Sequence, residues 1–157
     1  MVAPRLRVLF LCTGNAARSQ MAEALLRHLS KGRVDVFSAG SVPAQEIHPE
    51  ARAVLEETFQ IDTSNLAPKS MTSFVNERFD YVITVCDKVA ERCPVFPGDP
   101  EQIHWSFADP VQQRTAVEQR RACEQIANGL AGRLRIWLSL PQVRRRLEAT
   151  HNGPGLA

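Results

Sequence analysis

The segment Val8-Leu9-Phe10-Leu11-Cys12-Thr13-Gly14-Asn15-Ala16-Ala17-Arg18-Ser19 constrains this chain more than any other. An apolar run ends on a cysteine, and an arginine and a serine follow after five intervening residues. The pattern reads as a strand, a tight loop and the start of a helix. A loop that short curls around its own centre, so its backbone N–H groups point inward and the helix adds the positive end of its dipole. Thr13, Gly14, Asn15, Ala16, Ala17 and Arg18 then form a nest for a tetrahedral oxyanion. Arg18 can clamp two oxygens of that anion with its planar fork. The same field favours Cys12 as a thiolate: a free cysteine titrates near ~8.5, and helix N-termini with nearby cations bring that below ~7. Ser19 is placed to donate a hydrogen bond to the sulfur. A buried, inert cysteine and a surface arginine are the plain alternative. The glycine, the preceding strand and the following helix outweigh it.

Hydrophobic periodicity lays out the rest. Arg5 to Leu11 suits a buried central strand. Ser19 to about Lys31 repeats Met21, Ala22, Leu25, Leu26 and Leu29 at helical spacing, and Gly32 ends it. Val34 to Ser38 is a second strand. His48-Pro49 opens a helix, with His48 a turn residue in preference to a ligand. Ser64 to Met71 reads as loop, followed by a short helix around Thr72 to Glu77. Phe79 to Val85 is a third strand and Gln102 to Phe107 a fourth. A long final helix runs from about Thr115 to Leu138, with Cys123, Ile126, Ala127, Leu130, Leu134, Trp137 and Leu138 on its inner stripe. Gly129 and Gly132 weaken that helix by about 1 kcal/mol each unless they allow close packing. Strands alternating with helices predict an α/β fold, a single-domain open four-stranded parallel sheet flanked by helices. The domain covers residues 1–150, with 151–157 a flexible tail.

Length and charge exclude several classes. A chain of 157 residues suits one core. A net charge of +2 is too small to imply nucleic acid, and Arg144-Arg145-Arg146 reads as a solvated helix end. No stretch is long enough to span a membrane, and residues 1–5 lead straight into a strand without a secretory signal. Four cysteines outside a secretory context suggest reduced thiols with chemical roles in a cytoplasmic protein. A monomer is expected.

Ligands of open parallel sheets bind at the carboxyl ends of the strands. Cys12 follows strand one, Cys86 ends strand three and Asp109 follows strand four, so three reactive side chains converge on one edge. Cys86 and Cys93 bracket a polar segment containing Lys88, Glu91 and Arg92. Core filling or zinc ligation would also account for two cysteines, but closely spaced ligand pairs are absent and no metal site is assigned. Asp109-Pro110 is a turn signal as well as a candidate acid over the anion site. His104 and Trp105 are assigned to strand packing.

At these residues the chain resembles the thioredoxin-coupled arsenate reductases, which share the low-molecular-weight tyrosine phosphatase fold. The carriers are Cys12 to Glu23, Asp80 to Asp87, Cys93-Pro94-Val95-Phe96-Pro97-Gly98 and His104 to Pro110. The resemblance implies a relay. Cys12 attacks arsenate held by the loop and Arg18, with Asp109 assisting departure of an oxygen. Cys86 then attacks Cys12, releasing arsenite, and Cys93 attacks Cys86 to present a disulfide to thioredoxin. No tightly bound cofactor is implied; phosphate and sulfate would compete as oxyanions. Some relatives bind potassium beside the loop, and Asn15, Glu23 and Ser38 match part of that site. Many relatives carry a further cysteine where this chain has Ala17, which a three-thiol relay does not need. If residues 87–93 are helical, Cys86 and Cys93 stand about 10.5 Å apart along the axis. A disulfide needs Cα atoms within roughly 7 Å, so a helical segment would have to unwind on oxidation.

A phosphatase releases its cysteinyl phosphate to water and needs no further thiol. Reducing arsenate takes two electrons from the protein, and a second and third thiol make the oxidised form exchangeable. Val111 also stands where tyrosine phosphatases of this fold usually carry an aromatic. The alternatives are a low-molecular-weight phosphatase acting through a phosphocysteine, and a non-catalytic arsenite or metal binder built on the three thiols.

Overall fold

β1, Arg7–Cys12, runs through the middle of the molecule, with Val8, Leu9, Phe10 and Leu11 all fully buried. A strand covered on both faces cannot alternate with polar residues, which explains the uniformly apolar run. The computed structural model describes residues 4–91 and 93–151. The expected tail beyond His151 lies outside the described residues, as do residues 1–3 and Arg92 of the segment between Cys86 and Cys93.

β2 is Asp35–Gly40, β3 is Tyr81–Thr84 and β4 is Glu101–His104. The four strands lie in the order β2-β1-β3-β4, and every pairing is parallel. The chain steps from β1 to β2 on one side and returns to β3 on the other. The junction of β1 and β3 is therefore the topological switch point, where such sheets hold ligands. The open parallel sheet read from the sequence is the sheet that forms.

Helix α1, Arg18–Leu29, packs on β1, β2 and the long helix α4, Ala116–Ser139. Met21, Ala22, Leu25 and Leu26 supply its inner face at 0% exposure. Burying each leucine contributes about 1.5–3 kcal/mol. Thr115 caps α4 by accepting from the Glu118 N–H at 3.1 Å. The expected stripe of α4 is buried from Cys123 to Trp137, and Leu138 is partly buried against it. Trp137 meets Tyr81 edge-on at 5.1 Å between ring centroids, joining α4 to β3. An added Cβ at Gly129 would meet the Phe107 ring at 3.1 Å, so this glycine lets the post-β4 loop sit close. Gly132 has open space around it and serves no such contact.

Several expectations need correction. α4 is not the last helix: α5 follows at Pro141–His151, with Val143 and Leu147 buried. Too few apolar positions recur there for its periodicity to stand out. Arg146 is not a solvated helix end, since it donates to Pro4 O at 2.9 Å and reaches Asp80 at 3.3 Å. The helix opened by Pro49 is short: α2, Pro49–Ala53, widens into a π turn over Val54–Thr58. His48 caps it, accepting from the Glu50 N–H at 3.0 Å, as a turn residue would. The helix expected around Thr72 is a single 3-10 turn, Met71–Ser73. Among the described residues no helix is long and apolar enough to cross a membrane.

Candidate active site

The loop from Cys12 to Arg18 is held open from outside. The carbonyls of Cys12, Thr13, Gly14 and Ala16 accept from the N–H groups of Ser41, Val42, Ala44 and His48 at 2.8–3.2 Å. With those carbonyls turned outward, the intervening N–H groups are free to face the centre. Asn15 takes a left-handed backbone, φ 49°, which sharpens the curl. Its N–H lies 3.2 Å from the Cys12 sulfur. Gly40, paired with Cys12 in the sheet register, is what allows β2 to press on the loop. A Cβ there would sit 2.5 Å from the Thr13 carbonyl oxygen and 3.0 Å from the Asn15 nitrogen. In the sequence, Gly40 reads simply as a glycine closing the second strand. No local pattern distinguishes a terminator from a glycine needed for a contact between two strands.

Cys12 is buried, and its Sγ lies 2.8 Å from Ser19 Oγ. The direction of that bond follows from its neighbours. The Asn15 side-chain amide donates to Ser19 Oγ at 2.7 Å and to Ser38 Oγ at 2.9 Å. Ser38 donates onward to Glu23 at 2.7 Å. Asn15 Oδ1 accepts from Gln20 at 3.0 Å and from the Lys69 N–H at 2.8 Å, which fixes the amide orientation. Ser19 oxygen is thus already accepting, and its hydrogen is free to point at the sulfur. Burial pushes the Cys12 thiol up from its ordinary value, while Ser19, Arg18 and the Asn15 N–H pull it down. Burial is the larger influence and the net direction is upward. This corrects the depressed value expected from the loop: the sequence displays the charges near the sulfur but not the depth at which the fold places it.

Arg18 opens α1, and its side chain is only 11% exposed. One Nη donates to Phe107 O at 3.1 Å and the other lies 3.7 Å from Asp109 Oδ2. Asp109 fills the turn role and also faces the loop. Its Oδ1 accepts from the Val111 N–H at 3.1 Å, capping the 3-10 turn Pro110–Gln112, while Oδ2 faces Arg18. Thr13, Arg18, Cys86, Asp87, Phe107 and Asp109 share one cavity at the carboxyl edge of the sheet.

Cys86 sits two residues beyond β3 and is buried; its Sγ is 3.3 Å from Thr13 Oγ1. Cys93 is partly buried, with its Sγ 3.6 Å from Pro94 O, and burial pushes its thiol up. All of Cys12, Cys86, Cys93 and Cys123 are free thiols. The helix considered over residues 87–93 is one turn only, α3 at Asp87–Ala90, and Cys93 lies in irregular chain. The rigid helical spacing that would have demanded unwinding does not exist, so that geometric case for a redox gate falls. A single helical turn is too short to hold itself by its own hydrogen bonds. His104 also departs from the strand-packing assignment, since both its ring nitrogens are hydrogen-bonded. Trp105 does pack, with the Arg133 guanidinium 5.8 Å from its ring centroid.

Asn15, Glu23 and Ser38 do come together, linked through the Ser38 hydroxyl. Glu23 already receives Ser38, Arg27 at 3.1 Å and Lys69 at 3.6 Å. Two side-chain cations thus lie beside the one carboxylate of that trio.

Comparison with known proteins agrees with this geometry. The family model for low molecular weight phosphotyrosine protein phosphatase matches residues 7–135. An arsenate reductase of Oceanobacillus iheyensis is 31% identical, over 83% of this chain and 93% of its own length. Among solved structures, a thioredoxin-dependent arsenate reductase of Corynebacterium glutamicum superposes with a TM-score of 0.68 and 37% identity, over 88% of this chain. This chain spans 63% of that one's length. A low molecular weight protein tyrosine phosphatase from T. tengcongensis, 24% identical, shares the fold at a TM-score of 0.69. A strand-ending cysteine, an inward-facing loop and an arginine on the next helix are thus set in a chain that belongs to the low molecular weight phosphotyrosine protein phosphatase family and, within it, to the arsenate reductases.

Proposed function

We propose that this enzyme reduces arsenate to arsenite through Cys12, Cys86 and Cys93, with thioredoxin restoring the dithiol. The observation that carries the reading is the place of Cys86. A second thiol lines the same cavity as Arg18 and Asp109, one hydrogen bond from the oxyanion loop. Hydrolysis of a phosphate ester has no use for it.

The loop N–H groups and Arg18 hold the arsenate oxygens, the Cys12 thiol gives its proton to an oxygen of the bound arsenate dianion, and the sulfur attacks arsenic. An arsenic–sulfur bond forms and an oxygen leaves as water, with Asp109 placed to deliver the proton. The Cys86 thiolate then attacks Cys12 Sγ. A disulfide forms, the arsenic–sulfur bond breaks, and its electron pair passes to arsenic, giving arsenite. Cys93 attacks Cys86 Sγ, freeing Cys12, and two electrons from the thioredoxin dithiol reduce the Cys86–Cys93 disulfide. Ser19 assists throughout by donating to the Cys12 sulfur. The name of the Corynebacterium glutamicum relative supports thioredoxin as donor. Phosphate and sulfate have the same shape and should compete.

Cys12, Arg18 and Asp109 also make a complete set for hydrolysing a phosphocysteine, so a weak phosphatase activity is the second reading. The two chemistries separate by mutation. Cys86→Ser and Cys93→Ser should each stop multiple-turnover arsenate reduction with thioredoxin while retaining hydrolysis of an activated aryl phosphate. Cys12→Ser should lose both. Normal arsenate turnover in either of the first two variants would overturn the relay. Stoichiometric arsenite binding without turnover in the parent protein would make it a binder instead.

A further inference from the structure

Cys86 lies where the chain leaves the sheet, and one imidazole holds the chain on both sides of it. His104 Nδ1 is 2.7 Å from Thr84 Oγ1, two residues before Cys86. His104 Nε2 is 2.8 Å from Asp87 Oδ1, the residue after it. His104 itself is anchored: it ends β4 opposite Thr84 in the sheet register, and the next N–H, of Trp105, donates to Thr84 O at 2.8 Å. We infer that His104 is a positioning residue for the arsenate reaction, a clasp that fixes residues 84 and 87 so that Cys86 stays against Thr13 and the anion cavity. This rests on the relay proposed above.

The hydrogen-bond roles are consistent around the ring. The hydrogen bond from His104, then one from Ser106, hold the Asp87 carboxyl below the usual carboxylate range. A carboxylate only accepts, so Nε2 carries a hydrogen toward Asp87, while the Thr84 hydroxyl, able to donate or accept, pairs with Nδ1. A strand packing role would need neither bond. The clasp matters because α3 is a single turn, Asp87–Ala90, with Asp87 and Lys88 exposed, and one turn is too short to fix its own position through helical hydrogen bonds. Its two ends also differ in strength. Thr84 is inside the sheet and nearly buried, whereas the Asp87 side chain is 75% exposed. The Asp87 end is the one that can release when Cys86 turns from Cys12 toward Cys93.

The test measures two rates on the same proteins. One is arsenite released in a single turnover from sodium arsenate with no thioredoxin present, which requires Cys86 to attack Cys12. The other is hydrolysis of para-nitrophenyl phosphate, which requires Cys12 but not Cys86. His104→Phe should slow the first by about tenfold, since a thiol misplaced by about an ångström loses its approach geometry, and leave the second unchanged. Asp87→Ala should slow arsenite release as much and well beyond any change in aryl phosphate hydrolysis, the double variant should be no slower in arsenite release than either single one, and Asp87→Asn should remain near the parent because its amide oxygen still accepts from Nε2. Equal loss of both rates in His104→Phe and Asp87→Ala, or unchanged arsenite release in both, would overturn the clasp. If His104→Phe alone fails to fold, Asp87→Ala at an exposed position still decides. Cys86→Ser is the control: if it releases arsenite as fast as the parent, the relay itself fails, and if it does not, any failure belongs to the clasp.

Discussion

Ser19 directs its hydroxyl hydrogen at Cys12 because its oxygen is already taken by the Asn15 amide. The bond helps hold down a thiol that burial pushes up. Removing it in Ser19→Ala should therefore raise the pH midpoint for Cys12 alkylation, and by about one to two units, since a hydrogen bond to a charged group is worth about 1.5–3 kcal/mol and one unit about 1.4. The sign is definite. A higher midpoint means a smaller thiolate fraction at neutral pH, so alkylation and both enzymatic rates fall there and recover toward alkaline pH. Iodoacetamide kinetics across pH would check this, and an unchanged or lowered midpoint would show that Ser19 does not serve the sulfur. Ser19 was legible in the sequence from its place next to Arg18. The partners that orient it, Asn15 and Ser38, come from the loop and from β2 and carry no shared local signal.

At the scale of elements, the anion loop depends on β2 as much as on its own sequence. The backbone N–H groups of residues 41–48 turn its carbonyls outward, and Gly40 lets the two segments approach. Gly40→Ala should force the Thr13 carbonyl aside and spoil the nest. Overpacking of this kind costs about 1–3 kcal/mol. The expected outcome is a lower melting temperature together with a drop of about tenfold or more in kcat/KM for both arsenate and an aryl phosphate, since both use the loop. Wild-type kinetics in this variant would mean that the loop tolerates the shift. The strands and helices that carry the site were largely readable, because each is long enough to show its period. α3 and α5 were not: one is a single turn and the other buries few residues, so periodicity has little to act on.

For the whole molecule, the four thiols divide by location. Three are near the carboxyl edge of the sheet or on the segment that follows it, while Cys123 lies in the contact of α4 with the core. Burial and the nearby Glu50 carboxylate push the Cys123 thiol up to about 11, which leaves it inert at neutral pH. Cys123→Ser should keep arsenate turnover near the parent value and lower stability by about 1–3 kcal/mol through a buried hydroxyl without a guaranteed partner. Thermal unfolding alongside turnover would test it, and lost turnover without lost stability would give Cys123 a chemical role. The arrangement explains how a phosphatase-type fold can serve redox chemistry. Under the proposed relay, the set that hydrolysis would use sits on β1, α1 and the loop after β4, while Cys86 enters just beyond β3, at the switch point of the sheet, and Cys93 from the segment that follows.

The sequence by itself determined the four strands, their parallel arrangement and the loop between Cys12 and Arg18, which follow from short-range patterns: an apolar run, helical spacing and a loop whose length forces its curl. Cys86, Cys93 and Asp109 stood out through a family resemblance and through their places after strands, not through spacing alone. Only the tertiary structure decided what surrounds them. It set the burial that raises the Cys12 thiol, the contact that makes Gly40 necessary, and the His104 clasp between residues 20 and 17 positions apart. It also placed Lys69 and Arg27 on Glu23, where a cation site had been in question. The physical reason is common to all of these. Backbone periodicity is encoded by neighbours in the chain, but desolvation, close approach and hydrogen-bond partnership depend on which distant segments the fold brings together.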